Sequence, residues 1–242
     1  MSVLNKTVGT LIDENYIYAR ALHYLGIDFY QYEHETLNTI CALRGIDRGR
    51  LVKSLYQFDS KSRVSFKEIE QYPLQLILEY LRYAHHSYIK QYLPYVAGLI
   101  EKLDQGNDAV RDLVEIFPLF VEDFIKHIYE EEDELFKYVQ LLINIQGGRI
   151  QNPVGAMWKF SDLSLLERQQ YHLNEDEMVG LRSLMDEMPD DSLHLQVIKK
   201  EIMAFDREIL YHSEIENQVF FPKAITAEAS VRARLREISL LN

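Results

Sequence analysis

The sequence predicts an all-α protein. Glycine and proline are scarce, at 10 and 6 of 242 residues. Apolar residues recur at spacings of three and four over long stretches, and the breaks between those stretches are short runs rich in Gly, Pro, Asn or Asp. Within residues 1–57, "TVGTLIDENYIYARAL" with Thr7 as its N-cap, "HETLNTICALRG" and "DRGRLVKSLYQF" are three short helical pieces, read as a small N-terminal domain. The polar stretch "DSKSRVSFKEIEQY", within 58–72, is read as its linker.

From residue 73 the periodic runs lengthen. In "PLQLILEYLRYAHHSYIKQYLPYVAGLIEKL", Pro73 suits a first helical position, and Leu74, Ile77, Leu78, Leu81 and His85 share one broad face. Three more long helices are expected, over 107–144, 153–187 and 190–221, separated by "DQGND", "QGGRIQNP" and "MPDD". Short connections favour antiparallel neighbours, so residues 73–225 are expected to form an up-down-up-down four-helix bundle. Pro94 and Pro118 should kink their helices or mark a start, and the tail over 226–242 adds a short helix.

Composition narrows the function. A chain that is 47% apolar is globular, and a net charge of -12 without a Lys/Arg cluster argues against a general nucleic-acid binder. The acid serves solubility or cations. Cys41 is the single cysteine, which excludes an internal disulfide and any CxxC zinc or redox site. The first residues lack the pattern of a signal peptide and no later run is apolar enough to span a bilayer, so the expectation is a cytoplasmic protein without a membrane partner.

The chemistry lies in a repeat. "HIYEEEDELF" places His127 four residues before Glu131, and "HSEIENQVFFP" places His212 four before Glu216, with Phe136 and Phe221 each nine beyond the histidine. His86 lies 41 positions before His127, and His172 lies 40 before His212. Each half therefore carries one histidine on a first helix and His-x-x-x-Glu on the next. A four-residue step returns almost to the same azimuth, so both side chains of each pair can point inward at adjacent levels. Four imidazoles and two carboxylates exceed a tetrahedral zinc site and are the wrong donors for calcium, but they suit two first-row metal ions. Each carboxylate can bridge both ions while two histidines cap each one. Two divalent ions against two carboxylates leave positive charge that an oxide, hydroxide or water bridge would complete. Imidazole suits Zn, Cu, Fe and Ni alike, so the donors do not select iron.

Other residues carry plainer readings. His85, about 100° around the helix from His86, could be a further metal ligand but is read as support or core packing, and Glu130, Glu132 and Glu134 as solvated. Asp123 and Asp176 lie one turn from His127 and His172 and can orient an imidazole or face water. His23, His34 and His194 stand outside the repeat; Tyr83, Tyr88, Tyr129 and Tyr171 are read as bundle packing, and Phe136, Phe220 and Phe221 as core below the site.

The order His, His-x-x-x-Glu, His, His-x-x-x-Glu, carried by "HSYIKQYLP", "HIYEEEDELF" and "HSEIENQVFFP", resembles the hemerythrin-like domain. The resemblance is strongest to the di-iron proteins that repair iron centres, also labelled regulators of cell morphogenesis and nitric oxide signalling. His86, His127, Glu131, His172, His212 and Glu216 fall at that family's six iron-ligand positions. "TVGTLI", "YLGIDFY" and "HETLNTICALRGID" look like its small N-terminal domain, except that Tyr30 and Gln31 stand where the family typically has a Cys-Cys pair. The resemblance implies two iron ions in an oxo- or hydroxo-bridged centre, reaction with NO or O2, and an iron-sulfur client protein under nitrosative or oxidative stress. A gas sensor or store and an NO-reducing di-iron enzyme are the alternatives.

Overall fold

Threonine caps open two of the first three α-helices. Residues 8–14, 18–24 and 37–44 form α1 (Val8–Glu14), α2 (Tyr18–Tyr24) and α3 (Leu37–Arg44). Thr7 Oγ1 accepts from the Thr10 N–H at the start of α1, as expected, and Thr36 Oγ1 does the same for Thr39 at the start of α3. Each cap satisfies an N–H that the helix cannot pair itself. Gly45, at φ 64°, closes α3 in the left-handed conformation that glycine adopts without strain.

The computed structural model describes residues 3–59, 65–104, 106, 108–161, 163–174, 176–189 and 191–240. Among the described residues every regular element is helical, and β structure is limited to an isolated antiparallel bridge between Thr7 and Thr36. The remaining helices are α4 (Arg48–Asp59), α5 (Phe66–Gln71), α6 (Leu74–Ser87), α7 (Leu93–Ile100), α8 (Asp108–Glu131), α9 (Lys137–Gln146), α10 (Pro153–Trp158), α11 (Leu165–His172), α12 (Val179–Glu187), α13 (Leu193–Ile215) and α14 (Phe221–Leu240). No helix among the described residues is long and apolar enough to cross a membrane.

Three of the expected long helices form, each interrupted by a single π-helical turn. Tyr88–Tyr92 joins α6 to α7, Glu132–Phe136 joins α8 to α9, and Glu216–Phe220 joins α13 to α14. Pro94 and Pro222 both lie two residues past such a turn. A proline donates no N–H and crowds the carbonyl four residues back, here Lys90 and Gln218, and a widened turn relieves both. Pro118 lies inside α8 without ending it.

The expected third helix over 153–187 does not run through. It is three short helices, α10, α11 and α12, because polar side chains capture the backbone between them. Asn152 caps α10 at Gly155, Ser164 caps α11 at Glu167, and Asp176 Oδ1 accepts the Met178 N–H. The C-terminal stretch also differs from expectation. Rather than adding a separate helix beyond 225, α14 continues to Leu240, burying Ala224, Ala227 and Val231 and receiving the Tyr138 hydroxyl on Glu228 at 2.5 Å. Part of the expected linker, 60–64, lies outside the described residues, as do the expected helix starts Asn107 and Asp190 and the tail residues 241–242; the described part of the linker contains α5, opened by a Ser65/Glu68 capping box.

The chain divides into two compact units, each drawn from separated stretches. One comprises Met1–Arg63, Tyr95–Glu115 and Leu181–Phe205. Residues 1–57 thus cluster with two later stretches instead of standing by themselves. Their apolar residues, including Leu11, Ile12, Leu22, Phe29 and Ile40, are buried. Polar contacts tie the stretches: Arg20 Nε lies 2.9 Å from both carboxylate oxygens of the fully buried Glu201, and Lys102 reaches Asp28 at 2.7 Å.

In the same unit Tyr30 stacks on His194 at 3.9 Å and 5° between planes. Burial pushes the His194 pKa down to about 4, and the Lys102 charge adds to the shift. An unfolded chain takes up this proton near pH 6.5 while the native one refuses it, so native stability falls as pH drops from about 6.5 to 4, by at most about 1.4 kcal/mol per pH unit. His194→Phe keeps an aromatic partner for Tyr30 and should flatten that part of the profile, measured by urea unfolding of the metal-free protein at pH 7, 5.5 and 4.5.

The other unit comprises Val64–Pro94, Ile116–Gly180 and Asp206–Asn242. Its core gathers Ile77, Leu78 and Leu81 of α6 with Phe136, Tyr138, Val139 and Leu142, and with Ile215, Phe220, Phe221 and Val231. The phenylalanines read as core from the sequence are core. Above them lies a cluster of polar side chains that an apolar interior would otherwise exclude.

Candidate metal centre

A buried carboxylate costs several kcal/mol unless something compensates its charge. Two lie together here: Glu216 is 1% exposed and Glu131 9%. Each points one oxygen to either side. Glu216 Oε1 lies 3.0 Å from His212 Nε2 and its Oε2 lies 3.2 Å from His172 Nε2. Glu131 Oε2 lies 3.4 Å from His85 Nε2 and its Oε1 lies 3.9 Å from His172 Nε2. His85 Nε2 and His212 Nε2 are 3.0 Å apart. The donors thus fall into two groups sharing a carboxylate, His85, Glu131, His212 and Glu216 in one and His127, Glu131 and His172 in the other, with the donor atoms of each group within 4.8 Å of one another.

These separations fit a metal better than a hydrogen-bond network. Bonds of about 2.0–2.2 Å place neighbouring ligand atoms about 3.0 Å apart at 90° and about 3.4 Å apart at the tetrahedral angle. Protons cannot serve all the contacts: His85 Nε2 and His212 Nε2 share at most one in a neutral pair, and Glu216 Oε1, sealed from solvent, makes no well-directed hydrogen bond despite His212 3.0 Å away. Donor atoms aimed at a common point are what a cation requires. The buried His/Glu groups can therefore hold metal ions.

The shifts of His85 and Glu216 each run toward the form that binds a metal. Burial pushes the His85 pKa below the usual histidine value, and the neighbouring His212 lowers it further against the pull of Glu132 and Glu216. Burial alone would raise Glu216, but His212 and His172, by charge and hydrogen bonding, hold it well below the usual carboxylate range. Neutral imidazole and ionised carboxylate are the ligating forms.

Five of the six ligands expected from the sequence are gathered here: His127, Glu131, His172, His212 and Glu216. His86 is not. It is exposed, and His85, 2% exposed, takes the place assigned to it. The cause is azimuth. His85 stands four residues after Leu81 on the face of Leu74, Ile77 and Leu78, whereas His86 is a further 100° around. That face was visible in the sequence, and matching the 40-residue interval obscured it, because an interval that crosses a loop carries no helical register.

The surrounding residues also depart from expectation. Glu132, read as solvated, puts Oε1 3.0 Å from His85 Nδ1. It holds the imidazole from behind and leaves Nε2 for the site. Asp123 and Asp176 are exposed, and Asp176 Oδ1 accepts the Met178 N–H. Tyr88 is buried as expected and its ring faces His212 at 5.7 Å, but Tyr83, Tyr129 and Tyr171 are exposed. Glu134 pairs with Arg168, and Glu130 lies 3.7 Å from Lys126. Glu177, which no spacing in the sequence marks, lies 3.4 Å from His127 Nε2.

All three π turns adjoin this cluster. One begins at Glu216, one directly after Glu131 and one three residues after His85. A π turn holds more residues than an α turn and so shifts the azimuth of what it carries; Tyr88, Tyr92, Leu135, Phe136, Val219 and Phe220, all within these turns, are buried. A scan against protein-family models and a search of curated proteins found no match for this chain.

Proposed function

We propose that this chain is a hemerythrin-like non-haem di-iron protein that repairs iron-sulfur clusters, or donates iron to them, under nitrosative or oxidative stress. The observation that carries the reading is the pair of buried carboxylates, Glu131 and Glu216, each offering its two oxygens to different histidines. When bound, two irons so held supply exchangeable positions for NO or O2. The residues themselves neutralise charge, fix the imidazoles and exclude water from the inner side.

An up-down-up-down bundle accords with the contacts. From Gln75–Gln140 to His85–Glu132 the second number falls as the first rises, as in antiparallel neighbours. The same holds from His85–His212 to Tyr88–Glu208 and, along α11, for Arg168–Glu134 and His172–His127. From Phe136–Phe220 to Tyr138–Glu228 both numbers rise, as across a diagonal.

A gas sensor or store is the second reading, and the thiol chemistry favours it. Cys41 is 4% exposed and burial pushes its pKa up, while Tyr30 is occupied in the stack on His194. No reactive thiol stands in for the Cys pair. Anaerobic loading with Fe(II) should give two ions per chain by metal analysis and an absorption that responds to NO or O2. The loaded protein should restore a damaged cluster protein, and a His127→Ala, Glu131→Ala double variant should not. Reversible gas binding without restoration selects the sensor, and failure to retain metal overturns both.

A further inference from the structure

The two donor groups are unequal. His85, Glu131, His212 and Glu216 are all buried, whereas the His127 and His172 side chains are 26% and 11% exposed. The outer group also has fewer donors of its own. Close to it, on the turn between α11 and α12, stands Glu177, whose side chain is 25% exposed. The adjoining Met178 is 1% exposed and pins the turn, with its N–H held by Asp176.

The nitrogen that each acid meets is decisive. Glu132 meets His85 at Nδ1, behind the ring, whereas Glu177 meets His127 at Nε2. In the matching i,i+4 pair it is Nε2 of His212 that faces Glu216. By analogy with that pair, Nε2 of His127 is assigned to the site, which puts Glu177 on the ion's side of the ring, just outside the group of donors that lie within 4.8 Å of one another. Its 3.4 Å separation from Nε2 is that of two ligands on one ion.

We propose that Glu177 is a further carboxylate ligand, specific to the outer, His127/His172 position, and that it swings aside to admit a small ligand there. This deepens the di-iron reading and rests on it. A carboxylate on a short turn can leave without unfolding a helix, and its departure opens a coordination position on the side nearest solvent. The inner position, gripped from four buried residues, keeps its ion. Exchange of gas or of iron therefore starts at the outer ion.

The test is an anaerobic titration with Co(II), whose visible absorption reports coordination number, followed by Fe(II) with metal analysis. Wild type, Glu177→Gln and Glu177→Ala are compared, with folding checked by circular dichroism. The expected result is one ion bound as in wild type and a second bound roughly 10–100-fold more weakly in both variants, with a changed cobalt spectrum for that ion alone. Glu132→Gln should weaken the other ion instead. Two ions bound with unchanged affinity and spectrum in Glu177→Ala would overturn the assignment and leave the di-iron reading standing. A wild type that binds no metal would overturn that reading itself.

Discussion

Glu216→Ala is expected to weaken metal binding at both positions, most at the inner one. The residue is 1% exposed and its two oxygens each lie within 3.2 Å of a different histidine, Oε1 against His212 and Oε2 against His172. Removing it takes one of the four inner donors and the carboxylate oxygen that stands 3.2 Å from His172 of the outer group. Loss of an orienting partner alone typically costs 10–100-fold in metal affinity, so Glu216→Ala should cost about 100-fold or more at the inner position, where a donor is lost, and about 10–100-fold at the outer one, where His172 loses a carboxylate neighbour. Glu216→Gln, similar in shape but neutral, should fail nearly as badly, which separates charge from volume. Equilibrium dialysis against Co(II) or Fe(II) gives the stoichiometry directly. The loss contrasts with that of Glu177→Ala, which should spare one ion. Loading of wild type should also fall as pH drops, because protons compete for the imidazoles; at His85, whose pKa burial holds below the usual histidine value, that competition sets in at lower pH than for a free imidazole.

How far the sequence could lead follows from how each feature is encoded. His127/Glu131 and His212/Glu216 were legible because both members of each pair sit within one turn of one helix, where spacing is geometry. His85 was legible only through its apolar companions Leu74, Ile77, Leu78 and Leu81, since nothing in a loop-crossing interval distinguishes it from His86. Glu132 and Glu177 were not legible. Glu132 sits in a run of acids, Glu130 to Glu134, whose solvated members look identical until the π turn gives each its direction. Glu177 reaches His127 from a turn across 50 residues of chain, which no local pattern records. The break-up of the stretch from 153 to 187 was signalled by Ser164, Asn174 and Asp176, but apolar spacing outweighed those polar residues on paper. In the folded chain their side chains take hydrogen bonds that the helix would have used.

Phe136→Ala should be the most destabilising single change near the site. The ring is fully buried, lies parallel to His85 at 5.3 Å and 4°, meets Phe220 edge-on at 5.4 Å, and has the Arg82 guanidinium 5.9 Å away. Truncating a buried phenylalanine to alanine typically costs about 3–5 kcal/mol, from lost apolar burial plus the cavity left behind. In a chain of this length that is a fall of roughly 6–20 °C in the melting temperature, readable by calorimetry of the metal-free protein. The same change frees one face of His85, so the inner ion should bind more weakly while Glu177 still serves the outer one. Phe136→Leu refills much of the volume without a flat face. It should recover over half of the stability and less of the inner affinity, because packing volume holds the core whereas the planar contact holds the imidazole's angle. Equal recovery of both would mean that Glu132 alone, at Nδ1, fixes the orientation of His85.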